Sequence, residues 1–293
     1  MIARLLIRPA FAWLRQPGLH AAVPILILLA IGFIGPLVLV AIFSFMPPRS
    51  FTLDGAPTIE NYQTVVEQSF YLSLLRSFAF AAGTVVVLAL VCYPVALGLA
   101  KLFGRYAGLL TLILVLPLFV SENVRLFGWV LFLLKGGGVL AGAAKAVFGL
   151  ELADMLYSNT ATLMGLCYVY LPFMLFPMVL GLSMVQRDVV EAASDLGASR
   201  WQIMREIELP LAMPGLVIGG LLTFVLSLGA LTESKVLGGS KVIMIAADIE
   251  SAFTFGQNWP LGSALSMLLL VLAGGLVLLV LRKLDLDAIL KRR

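Results

Sequence analysis

Six long apolar stretches govern what this chain can fold into. They fall roughly at 21–46, 72–100, 108–134, 159–184, 211–234 and 260–281. About 20 apolar residues in a helix cross the hydrocarbon core of a bilayer. No water reaches the backbone there, and a helix satisfies its own N–H and C=O groups. The composition agrees, with 61% hydrophobic and 12% charged residues, against about 45–50% and about 25% in soluble domains. The expected fold is therefore all-α and integral to the membrane, with six transmembrane helices in one domain over 1–293. Pro36, Pro94, Pro117, Pro172 and Pro177 lie inside these stretches. Membrane helices accept proline where neighbours satisfy the freed backbone groups.

Six crossings put both termini on one side, and the basic residues choose it. Arg4, Arg8, Arg15, Lys101, Arg105, Arg187, Arg200, Arg205, Arg282, Lys283, Lys291, Arg292 and Arg293 share that side. Arg49, Arg76, Lys135, Lys145, Lys235 and Lys241 share the other, and Arg125 falls within the third stretch. The positive-inside rule makes the richer side cytoplasmic. The first apolar run exceeds the core of a signal peptide and no A-x-A site follows it, so it reads as a retained span. The net charge of +4 and pI of about 9.2 then reflect basic cytoplasmic ends. No basic block with interleaved aromatics suggests a nucleic-acid surface. Cys92 and Cys167 sit in apolar runs as small hydrophobes, and His20 marks the edge of the first span.

One polar segment interrupts the second half. Gln186 to Leu196 reads as a short helix ended by Gly197, since glycine accepts positive φ. Ser199-Arg200-Trp201-Gln202 fits a capping box that starts a second helix, running to about Leu209. Pro210 and Pro214 then mark the start of span five. Val189, Leu196, Trp201, Met204 and Ile207 are apolar in this wet segment, as expected of a helix pair that docks into a partner's groove. Arg187 and Glu191 are four apart and could simply pair with each other.

The pattern E-A-A-x3-G-x9-I-x-L-P, met by Glu191, Ala192, Ala193, Gly197, Ile207, Leu209 and Pro210, resembles the cytoplasmic loop of ABC-importer permease subunits. Four further segments are similar to the spermidine/putrescine-type group of that family. They are Val124-Arg125-Leu126-Phe127-Gly128-Trp129, Tyr168-Val169-Tyr170-Leu171-Pro172-Phe173, Leu237-Gly238-Gly239 and Asn258-Trp259-Pro260-Leu261-Gly262-Ser263-Ala264. The resemblance implies the six-span type I ABC-importer permease fold in a bacterial inner membrane. It implies ATPase coupling through the seven motif residues, with Trp201 beside them. The implied partners are two cytoplasmic ATP-binding subunits, a second and different permease subunit, a periplasmic solute-binding protein and membrane lipid. ATP and Mg would sit on the ATPase partner. This chain carries no G-x-x-x-x-G-K-[ST] loop, and no cofactor, metal or catalytic residue of its own is expected. The outer connections, about 47–71, 135–158 and 235–259, are too short for a ligand-capturing domain. The second, opening Lys135-Gly136-Gly137-Gly138, is expected to hold a short interfacial helix.

Charges within spans are costly and need a partner or an aqueous path. Glu122 and Arg125 lie on one face of span three, where a mutual ion pair and a substrate contact both remain open. Asn123 sits on a neighbouring face, and Tyr168 and Tyr170 offer rings with polar tips. Thr232-Glu233-Ser234-Lys235 is expected to close span five, with Lys235 neutralised by Glu233 or snorkelling outward. A lysine in the path would repel a polyamine. That keeps an opine, an amino-acid-like solute or a phosphonate beside the polyamine reading. An ion-coupled secondary carrier is the rival from another class, with Glu122 and Glu233 as its available ion sites.

Overall fold

The structure, a computed structural model, describes residues 17–135, 137–149 and 155–283. Arg4, Arg8, Arg15, Lys291, Arg292 and Arg293 of the charge count lie outside them, as do Gly136 and the side chains of His20 and Lys283. The described residues form α1 (Pro17–Leu29), α2 (Gly35–Phe43), α3 (Glu60–Glu67), α4 (Phe70–Leu97), α5 (Ala107–Val115), α6 (Glu122–Leu133), α7 (Val139–Phe148), α8 (Asn159–Ser183), α9 (Arg187–Asp195), α10 (Arg200–Ile203), α11 (Leu209–Leu228), α12 (Ile245–Thr254) and α13 (Trp259–Lys283). Five continuous helices among them are long and apolar enough to cross a membrane, and a bent pair of helices meets the same measure when its two halves are taken together.

The middle of the bundle is α8, which packs on α11 and α4. Lipid is as apolar as leucine, so close backbone approach rather than water exclusion holds such helices together. Glycine provides the approach. A Cβ on Gly181 would lie 2.8 Å from the carbonyl oxygen of Ala212, and one on Gly219 would lie 2.9 Å from that of Met174. On Gly215 it would collide with the Pro177 carbonyl. Leu166, Met174, Leu175, Met178 and Leu182 of α8 are fully buried around this seam. Around it, α13 packs on α2, α3 and α12.

Straight helices give way at several places. Between α1 and α2 the chain forms a π-helical turn, Ala30–Ile34, just ahead of Pro36. Gly35 N donates to the Ala30 carbonyl across the wider turn, and Pro36 after it has no N–H to donate. Span three was expected to be one helix over 108–134. Instead Gly104–Phe119 and Glu122–Leu133 meet at 96°. Pro117 tightens the first half into a 3-10 turn, Leu116–Phe119. Val120 and Ser121 are then extended, with ψ of 136° and 137°. Span five also ends early. The helix stops at Leu228 and turns at Gly229, so Thr232-Glu233-Ser234-Lys235 does not close it. Those residues start a separate short helix whose last turn, Ser234–Gly238, is π-helical.

The expected short helix of the second connection is α7. The first and third connections carry α3 and α12. Cys92 is buried, Cys167 is half-buried, and both are free thiols.

Candidate functional site

The E-A-A segment folds as α9 and α10. Gly197 holds φ at +85°, which turns the chain between them without a Cβ penalty. The capping box forms in full. Gln202 N donates to Ser199 Oγ at 3.3 Å, and Ser199 N donates to Gln202 Oε1 at 2.8 Å. Glu191, Ala192, Gly197, Trp201 and Pro210 are exposed, while Ala193, Ile207 and Leu209 are half-buried. Leu196 is 89% exposed and Trp201 65%. Such bare apolar side chains on a polar helix pair make a surface fit for another protein.

The second helix differs from expectation in one respect. It does not stop near Leu209. Arg200–Leu228 is one continuous helix, with a π-helical turn at Met204–Glu208. Pro210 falls directly after the wide turn, inside this continuous helix. α10 and span five are thus parts of one helix.

One contact here escaped sequence reasoning. Lys101 Nζ donates to Glu208 Oε1 at 2.9 Å, with side chains only 15% and 11% exposed. Glu208 occupies the unspecified position of I-x-L-P, and Lys101 entered only a charge count. A pair 107 residues apart in sequence leaves no local signal.

A second region lies deeper. A cavity of about 430 Å³ is lined by Leu118, Glu122, Arg125, Val169, Tyr170, Phe173, Val225, Leu226 and Gly229. Leu118 and Glu122 line it from either side of the break in span three. The break places Glu122 in the first turn of α6, where the helix dipole favours an anion. The open ion-pair alternative fails, because no ion pair joins Glu122 and Arg125. The Arg125 guanidinium lies over the Tyr168 ring, 5.6 Å from its centroid, and its Nε is buried without a hydrogen-bond partner. Tyr168 in turn meets Trp129 edge-on at 5.7 Å. Asn123 is exposed and does not line the cavity.

Glu233 is 1% exposed, and its Oε1 lacks a hydrogen-bond partner. Its carboxyl is within electrostatic reach of Tyr170, Glu122 and Arg125. Four sequence candidates thus converge: Glu122, Arg125, Tyr170 and Glu233. Lys235 does not join them. It is exposed and ion-paired with Glu250 of α12 rather than with Glu233. The reason is helix geometry, since residues two apart face different ways.

The sequence pattern of the binding-protein-dependent transport system inner membrane component family matches residues 94–284. The chain belongs to this family. The permease is 31% identical to the spermidine/putrescine transport system permease protein PotB of Haemophilus influenzae over 252 residues, 83% of this chain and 85% of that one. It is likewise 31% identical to PotB of Escherichia coli, over 76% of this chain and 81% of that one. A crystal structure of a bacterial alginate ABC transporter, bound to a pentasaccharide-loaded periplasmic protein, contains a chain of the same fold. The TM-score is 0.72 at 17% identity, covering 89% of this chain and 91% of that one. The fold is thus that of an ABC-transporter permease. The chain is an inner-membrane transport component of a binding-protein-dependent importer rather than an enzyme.

Proposed function

We propose that this permease forms one half of the membrane pathway of an ATP-driven importer for polyamines of the spermidine/putrescine kind. Both termini and the α9–α10 segment face the cytoplasm. There Glu191, Ala192, Ala193, Gly197, Trp201, Ile207, Leu209 and Pro210 engage one of two ATP-binding subunits, which hold the ATP and Mg. A second, different permease subunit completes the pathway, and a periplasmic binding protein delivers solute to the opposite face. ATP binding moves α10, and the continuous helix into α11 carries that motion to the cavity wall at Val225 and Leu226.

The observation that carries the cargo assignment is the buried, incompletely satisfied carboxyl of Glu233 beside Glu122 and Tyr170. A buried carboxylate is costly unless a cation meets it. An ammonium group of a polyamine would do so with charge-assisted hydrogen bonds, while a tyrosine ring offers its π-face. Lys235, which argued for an anionic cargo, does not line the cavity and is paired with Glu250. The relatives named for spermidine and putrescine point the same way. The test is competition. In proteoliposomes holding the assembled importer, labelled spermidine uptake should be blocked by excess putrescine and untouched by a phosphonate or an opine. Blockade by the anionic solutes alone would overturn the assignment.

A further inference from the structure

The ion pair between Lys101 and Glu208 has a second peculiarity: both partners sit in π-helical turns. Lys101 belongs to the turn Gly98–Leu102 that ends span two, and Glu208 closes the turn Met204–Glu208 between α10 and α11. Such turns are rare, are held at a cost in helix geometry, and gather at functional places. Here each one swings a charged side chain towards the other, and the pair is nearly buried. Tyr93 of α4 also lies within electrostatic reach of Glu208, with its hydroxyl buried and unbonded. Glu208 is therefore met by span two rather than by its own helix.

Span two is also gripped at its other end. Ile245 N donates to Ser77 Oγ at 2.8 Å, and Arg76 Nη1 donates to the Ile243 carbonyl at 3.3 Å. Both acceptors and donors of the third connection thus hold α4 just where α12 begins. Between Ser77 and Lys101 lies roughly 36 Å of helix at 1.5 Å per residue. One continuous helix, Phe70–Leu102, touches the E-A-A segment at one end and the third connection at the other.

We propose that Lys101 and Glu208 are a positioning pair that makes span two move with α10. A displacement of the E-A-A segment then reaches the opposite face of the membrane through span two, in parallel with its direct path into span five. The proposal rests on the reading of this chain as an importer subunit driven by a separate ATPase.

The test uses the complete importer in proteoliposomes, with its binding protein loaded with spermidine as the probe. Two ATP hydrolysis rates are compared: the basal rate and the rate stimulated by the loaded binding protein. Lys101→Met and Glu208→Gln should each lower stimulated hydrolysis about fivefold or more, the scale of ordinary coupling between distant sites. Basal hydrolysis, which reads ATPase docking, should stay unchanged. Lys101→Arg should keep stimulation, and the exchange Lys101→Glu with Glu208→Lys should restore it. Undiminished stimulation in the single variants overturns the proposal. So does an exchanged pair that assembles yet responds no better than either single variant. Loss of assembly in every variant would make the pair a folding contact and would also overturn it. Absence of stimulation in the unaltered importer would instead count against the transport reading itself.

Discussion

Glu233 and Lys235 stand two residues apart and serve opposite environments. The carboxyl of Glu233 is buried beside Tyr170, and the ammonium of Lys235 is exposed and paired with Glu250 of α12. With the lysine outside it, the group of Glu122, Glu233 and Arg125 holds two carboxyls against one guanidinium, of which Glu122 and Arg125 line the cavity and Glu233 is buried within electrostatic reach of both. An exposed ion pair is worth about 0–1 kcal/mol. Lys235→Ala should change spermidine uptake by less than about fivefold, measured as initial rate in proteoliposomes. A collapse of transport would place Lys235 in the pathway after all.

Glu233→Gln keeps the size and removes the charge. A hydrogen bond to a charged group contributes about 1.5–3 kcal/mol. The half-saturating concentration or the maximal rate of spermidine uptake should suffer by about tenfold or more. Protein levels in the membrane should hold, because the variant keeps the shape of a buried carboxyl that lacks a full set of partners. Uptake equal to that of the unaltered protein would remove Glu233 from the mechanism.

Glu191→Arg and Gly197→Pro address the ATPase connection. Glu191 is exposed at the end of the bundle, and Gly197 holds a φ of +85° that proline cannot adopt. Neither touches the α8–α11 core. Both should abolish co-purification of the ATP-binding subunit while the permease still inserts. Retention of the ATPase at full stoichiometry in both variants would mean that α9 and α10 are not the docking surface.

Gly215→Leu tests the core. Any side chain at Gly215 meets the Pro177 carbonyl across the α8–α11 seam. Overpacking of this kind costs about 1–3 kcal/mol, and more where backbone cannot yield. The thermal midpoint of the detergent-solubilised protein should drop by several degrees, whereas Gly128→Ala, which meets nothing, should leave it unmoved.

The apolar stretches and the capping signals were legible because they are local. Ser199 and Gln202 are three residues apart, and their capping box forms as the sequence implies. The break in span three was not legible, although Pro117 lay in view. Apolar residues run straight through the corner, and hydropathy does not register a 96° turn at Val120 and Ser121. Glu122, Arg125, Tyr170 and Glu233 come within electrostatic reach of one another, although Glu233 does so from beyond the end of span five. The partners of charges did not follow from spacing, because they come from distant chain. Arg125 meets Tyr168 instead of Glu122, Lys235 meets Glu250 instead of Glu233, and Lys101 meets Glu208.

The most direct measurement is accumulation of labelled spermidine in proteoliposomes built stepwise from the permease, its partner permease, the ATP-binding subunit and the binding protein. Accumulation should require every component and ATP on the side of the E-A-A segment, and Glu233→Gln should impair it. Full uptake by this polypeptide alone, driven by an ion gradient, would contradict the account.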